Sequence, residues 1–187
     1  MIGFAFCGSF CTLGASLTAL SRFVEEGFEI QPIMSERVYN TDTRFFKCED
    51  FKRRVSEMTG REIIHTVEDA EPLGQSSPLD ALIVCPCTGN TLAKVAHGIT
   101  DSAVTMAIKA HLRCDRPTLL SIATNDAMSQ NLPNIAFALS RRSVYLLPMH
   151  QDNPKGKPYS LVADFDRVYD AYLAMIEGIQ LRPLFLC

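Results

Sequence analysis

The sequence predicts an α/β protein, a three-layer α/β/α sandwich around a mostly parallel, Rossmann-like sheet of about six strands. Three observations predict it. Short runs such as Ile2 to Cys7 and Ala81 to Cys85 are apolar throughout, as strands buried on both faces must be. Segments with apolar residues at helical spacing separate those runs. Glycine, serine, threonine or asparagine follows several of them, where a strand hands over to a helix.

Ile2 to Cys7 reads as the first strand and Gly8-Ser9 as its turn. Apolar residues then recur at Leu13, Leu17, Leu20, Phe23 and Val24, and Gly27 stands where a helix terminator belongs. Phe28 to Met34 is the second strand, closed by Ser35. A polar stretch from 36 to 62 contains a helix near 48–59 ending at Gly60, and Glu62 to His65 suits a short third strand. Asp69 to Pro78, with two prolines, a glycine and two serines, reads as a surface loop. Ala81 to Cys85 is the fourth strand, ended by Pro86. The polar turn Cys87 to Thr91 opens a helix through Leu92, Val95 and Ala96, and a second helix runs from about Ser102 to Leu112. Thr118 to Ile122 is a strand, 131–141 a helix, and Val144 to Leu147 the last strand. Residues 153 to 158 form an exposed basic loop. Phe165, Val168, Tyr169, Tyr172, Leu173 and Ile176 share one face of a closing helix at about 164–178. The 187 residues suit one domain, and no internal repeat or long linker divides them.

Composition removes several classes of function. Hydrophobic residues make up 47% and charged residues 21%, the mix of a chain that folds. A net charge of −3 leaves no basic excess for nucleic-acid phosphates. No run approaches the roughly 20 apolar residues that span a bilayer, and the N-terminus lacks a basic leader, so a cytoplasmic address is expected. The seven cysteines show no C-x-x-C pair, which favours reduced thiols over a disulfide framework or a metal site.

Ligands of an open parallel sheet bind beyond the carboxyl ends of its strands. Four polar turns occupy such ends: Gly8-Ser9, Ser35-Glu36-Arg37, Pro86 to Thr91, and Ala123-Thr124-Asn125-Asp126. Hydroxyls and free amides at helix starts suit an anion, although ordinary helix capping uses the same residues. The first turn is neither a dinucleotide nor a P-loop fingerprint, so a single phosphate fits better than a pyrophosphate. Arg37, Arg44 and Lys47 form a candidate patch for a dicarboxylate, because guanidinium pairs planar carboxylates. Lys155 and Lys157, between prolines, suggest a stiff cationic loop that covers the site or meets a partner. The same residues also suit a merely solvated surface.

Pro86 to Ser102 resembles the P-A-S-A-N-T-x-x-K-x-A-x-G-I-x-D-x signature of the FMN-dependent cysteine-decarboxylase family of flavoproteins. Gly8-Ser9 and the Ala123 to Met128 turn are similar to its glycine-serine turn and its P-x-M-N-x-x-M turn. Within the family, His65 to Gly74, Thr124 to Ala127, and Gln151 to Pro154 with Lys157 to Ala163 resemble one branch whose members work as half of a two-subunit oxidoreductase.

The resemblance implies FMN held by Gly8, Ser9, Ser35, Pro86, Thr88, Asn90 and Thr91, with Thr124 in the last turn. It implies that Asn125 faces a substrate carboxylate and that His65 acts as the base, a role an imidazole serves by taking a proton from the substrate. Arg37 and Lys157 would bind the substrate. The activity implied is oxidation of a dihydropyridine dicarboxylate to its aromatic diacid, in the mother-cell cytoplasm of a sporulating bacterium. A partner protein holding NAD(P) and a homo-oligomer of three or more copies are implied as well. Departures are Gly89 for alanine, Thr124 for methionine, and the absence of tryptophan. They weaken one alternative, decarboxylation of a cysteine-containing amide, whereas a second, a non-catalytic binding or assembly role, stays open.

Overall fold

The computed structural model describes residues 1–76 and 78–186. In chain order the elements are β1 (Ile2–Phe6), α1 (Leu13–Glu25), β2 (Ile30–Met34), α2 (Glu36–Asn40), α3 (Cys48–Thr59), α4 (Val67–Ala70), β3 (Ala81–Cys87), α5 (Gly89–His97), α6 (Ala103–Leu112), β4 (Thr118–Thr124), α7 (Leu132–Ser140), β5 (Val144–Leu146), β6 (Met149–His150), β7 (Leu161–Ala163) and α8 (Val168–Ile176). Strands β2-β1-β3-β4-β5 are parallel and adjacent in that order. The far half of β4 leaves β5 and pairs instead with antiparallel β7, which carries β6.

Alternation along the strands builds the three layers. On β1, Ile2, Phe4 and Phe6 face a core with Leu20, Phe23, Phe51 and Tyr172. Ala5 and Cys7 face the opposite core with Leu92, Val104 and Ile108. Helices α1, α3 and α8 therefore cover one side of the sheet, and α5, α6 and α7 the other. Phe23 packs edge-on to Tyr169 and Tyr172, both at 5.3 Å between ring centroids, which locks α1 to α8. Burying a side chain of this size contributes about 1.5–3 kcal/mol. Gly27 and Gly60 end α1 and α3 with φ of +81° and +65°, values that side chains with a Cβ avoid.

The sheet has seven strands, mostly parallel, in keeping with the about six expected. Residues 62–65 do not make a strand; only Ile64 bridges Ile33. Pro32 explains this, because the next ladder donor on that edge of β2 would be its missing N–H. The Gln31 side-chain amide donates to the Glu62 carbonyl at 2.9 Å in its stead. The stretch from Asp69 is not a plain surface loop: α4 and a helical turn at Glu71–Leu73 bury Ala70 and Leu73. Residue 77 of that stretch, and Cys187, lie outside the described residues.

Pro86 does not end β3. The register shifts between Val84 and Cys87, where a missing amide breaks no ladder, and the Pro86 carbonyl accepts the Cys7 N–H at 3.2 Å. Val144 to Leu147 is not the last strand, since β6 and β7 follow it. They are too short, at two and three residues, to show a period. The closing helix starts at Val168 after a tighter turn at Phe165–Arg167, and that turn rotates the buried stripe. Val168, Ala171, Tyr172 and Met175 are inside, while Leu173 and Ile176 are 42% and 47% exposed. No helix among the described residues is long and apolar enough to cross a membrane.

Candidate functional site

Strand order reverses between β1 and β3, so their carboxyl ends diverge into loops that leave a crevice. Two adjoining grooves open there. The first, of about 530 Å³, is lined by Gly8, Ser9, Phe10, Arg44, Phe45, Thr88, Gly89, Asn90, Thr124, Asn125, Asp152 and Lys157 among others. The second, of about 700 Å³, is lined by Gly8, Phe10, Ser35, Arg37, Thr88, Asn90 and Thr91 with Lys94, Asp101 and Ser102. Gly8, Phe10, Thr88 and Asn90 border both.

The turn after β3 is built by helix capping. Thr88 accepts the Thr91 N–H at 3.2 Å and donates to the Thr91 hydroxyl at 3.1 Å. Thr91 in turn donates to the Cys7 sulfur at 3.3 Å, tying α5 to β1. Burial pushes the Cys7 thiol up to about 11, so it stays protonated and inert. The two threonine side chains thus cap the helix and tie its start to β1. The amides of Gly89 and Asn90, the first in α5, have no acceptor within the helix and favour negative charge. Asn90 is exposed at the border of both grooves.

After β2, Ser35 precedes α2. Its backbone is engaged, but its hydroxyl is buried with no hydrogen-bond partner among the described residues. A buried polar group left so is costly, which makes the floor of the second groove short of one partner.

After β4, Thr124 donates to the Asp126 carboxylate at 2.6 Å, and Asn131 Nδ2 donates to both its oxygens at 2.9 Å. The Thr124 bond, followed by Asn131, holds the Asp126 carboxyl below the usual range. Gly89 presses against this cluster: a Cβ there would lie 2.6 Å from Asn131 Nδ2 and closer still to the Thr124 hydroxyl. Glycine at 89 and threonine at 124 are therefore one adjustment.

Charge is unevenly committed. Lys157 pairs with Asp152 at 2.8 Å, which raises the lysine pKa and lowers the aspartate pKa. Lys94 pairs with Asp101 at 2.8 Å, and Lys47 with Asp42 at 2.9 Å. Among the described residues Arg37, in the second groove, and Arg44, in the first, carry no carboxylate partner. Arg44 lies over the Phe45 ring at 4.8 Å.

Of the residues picked from sequence, Gly8, Ser9, Thr88, Asn90, Thr124, Asn125 and Lys157 come together in the first groove, and Ser35, Arg37 and Thr91 join at the second. Two do not. Pro86 is buried inside β3 and shapes the turn from beneath. His65 lies in a separate hollow with Glu49, Lys52 and Glu62, stacked on Tyr39 at 3.7 Å between rings, its Nδ1 3.3 Å from the Ile63 carbonyl. It reaches neither groove, because the bridge at Ile64 fixes the 62–65 segment outside β2, at the sheet edge. Sequence reasoning missed the aromatic walls Phe10 and Phe45 and the groove residues Ser160 and Val162 at β7. Among the described residues no group of three or more metal-ligating side chains occurs.

A parallel core ordered 2-1-3-4-5, with polar turns and helix starts gathered at its switch point, defines a doubly wound α/β protein with an open crevice there. The chain belongs to the Flavoprotein family, whose model matches residues 1–156. It is 37% identical over 185 residues to the B subunit of dipicolinate synthase from Bacillus subtilis (strain 168), covering 99% of this chain and 92% of that one. The crystal structure of the dipicolinate synthase B subunit from Bacillus halodurans C superposes with a TM-score of 0.91 at 35% identity, covering 100% of this chain and 95% of that chain. The FMN-dependent cysteine decarboxylase SpaF shares the fold, with a TM-score of 0.67 at 21% identity over 95% of each chain.

Proposed function

We propose that this chain works as the B subunit of a dipicolinate synthase, oxidising dihydrodipicolinate to dipicolinate together with the synthase's A subunit. The observation that carries the reading is the convergence of Gly8, Ser9, Ser35, Thr88, Asn90, Thr124 and Asn125 on one crevice, in a chain so similar throughout to a dipicolinate synthase component.

The residues present fit FMN. Ser35 offers an unpartnered hydroxyl and the start of α5 at Asn90 a favourable dipole for its phosphate, with Arg37 alongside. Bound there, FMN supplies a two-electron acceptor. Phe10 and Phe45 give the first groove apolar walls that exclude water, and Arg44 and Asn125 offer donors to the two carboxylates of a planar substrate. Aromatisation supplies driving force, so the chain's task is chiefly alignment. On this reading NAD(P) belongs to the A subunit. The chain assembles as a homo-oligomer of three or more copies, to which exposed Leu132 and Phe137 contribute apolar surface, in the mother cell of a sporulating bacterium.

The test is dipicolinate formation by the purified chain with and without the A subunit, alongside its visible absorbance. A yellow chain that makes dipicolinate when the two are mixed supports the reading, and Arg44→Ala should raise KM about tenfold, the effect of losing about 1.4 kcal/mol of binding. Release of carbon dioxide from a cysteine-containing amide, with no dipicolinate, contradicts it.

A further inference from the structure

His65 lines neither groove, whereas Thr124, bonded to Asp126, stands in the wall of the first. We infer that Thr124 and Asp126 form the base of the oxidation, the Thr124 hydroxyl receiving the substrate proton while passing its own to the Asp126 carboxylate. The inference rests on the function proposed above.

Thr124 lines the first groove beside Asn125. Its hydroxyl donates to Asp126 Oδ1 at 2.6 Å, within the reach expected of a base and the proton it takes. The hydroxyl proton is thus committed to the carboxylate, and its oxygen can accept. Gly89 lines the same groove, and a Cβ at that position would sit against the Thr124 hydroxyl. The lack of a side chain at 89 therefore leaves this oxygen uncovered toward the groove.

Behind the pair stands a chain of donors. Asn134 Nδ2 donates to Asn131 Oδ1 at 3.0 Å, and Asn131 Nδ2 donates to both oxygens of Asp126 at 2.9 Å. Every hydrogen bond onto the carboxylate favours its ionised form, so Asp126 stands as the carboxylate at neutral pH and Oδ1 accepts the Thr124 hydroxyl. The other acid of the groove, Asp152, is held by Lys157 at 2.8 Å. In the step itself one ring C–H bond breaks and its proton goes to Thr124 Oγ1. The Thr124 proton moves to Asp126 Oδ1, and the second ring hydrogen would leave with its electron pair to the two-electron acceptor that bound FMN would supply. Asp126 then releases its proton to water.

Thr124→Val, which keeps the shape and removes the hydroxyl, and Asp126→Asn should each slow flavin reduction by substrate about 100-fold or more, the lower range for general base catalysis. Affinity for FMN and for dipicolinate, measured by titration on the same proteins, should stay within about threefold, below the tenfold that about 1.4 kcal/mol would give. Thr124→Ser should restore most of the rate, and Gly89→Ala should lower it by crowding the hydroxyl. His65→Ala should slow the step less than Thr124→Val does. Overturning results are a Thr124→Val protein with near-normal rate, a rate loss matched by loss of ligand binding, or failure of serine to rescue. If the wild-type chain mixed with the A subunit makes no dipicolinate, the proposed function falls and this inference with it; an active wild type and an equally active Thr124→Val remove the inference alone.

Discussion

At the scale of single residues, Ser35 stands out by what it lacks. Its hydroxyl is buried and unpartnered at the floor of a groove, and leaving such a group unsatisfied costs about 1–3 kcal/mol. On the proposed function, the FMN phosphate would offer the missing partner. Ser35→Ala should then leave the ligand-free protein as stable or slightly more so, while weakening FMN about tenfold, or about 1.4 kcal/mol. Thermal melts with and without FMN check both signs, and a variant that melts earlier with unchanged FMN affinity would show the serine to be only structural. The turn at Ser35 was legible because an apolar run ends there. The contact between Gly89 and Thr124 was not: the two stand out in the sequence as separate departures, and a contact between residues so far apart in sequence has no local signature. The place of His65 apart from the grooves was not legible for a related reason, since it depends on the amide Pro32 does not have.

At the scale of elements, buried apolar strands and long helices were legible, as were the glycines that end α1 and α3. Strands β6 and β7 were not, because two or three residues show no period, and α8 turned its stripe because the turn before it shifted the phase. Helix α6 carries a testable electrostatic consequence. His111 is fully buried near its end, its Nε2–H donating to the Pro117 carbonyl at 3.0 Å, while Nδ1 has no partner among the described residues. Burial pushes its pKa down to about 4. Between the ordinary value of about 6.5 and that value the unfolded chain binds a proton the native one refuses. Stability should therefore be full above the ordinary value and fall as pH drops through this window, by as much as about 3 kcal/mol. Urea midpoints across the window check this, with His111→Gln flattening the slope; an equal slope in the variant would assign the acid sensitivity elsewhere.

For the whole molecule, the sheet order 2-1-3-4-5 places the ends of β1 and β3 on either side of a switch point, and the fork of β4 onto β7 adds Ser160 and Val162 to the wall. The layers were legible from composition of the strands, but the order of strands was not, because adjacency in a parallel sheet is decided by packing of helices several elements apart. That order is what turns four separate polar turns into one crevice. If the crevice holds a flavin by its phosphate, titrating the purified chain with FMN and with riboflavin, which lacks the phosphate, reads that grip directly. One FMN should bind per chain, with riboflavin at least about tenfold weaker, a difference of about 1.4 kcal/mol; equal binding of the two, or binding of neither, would contradict it.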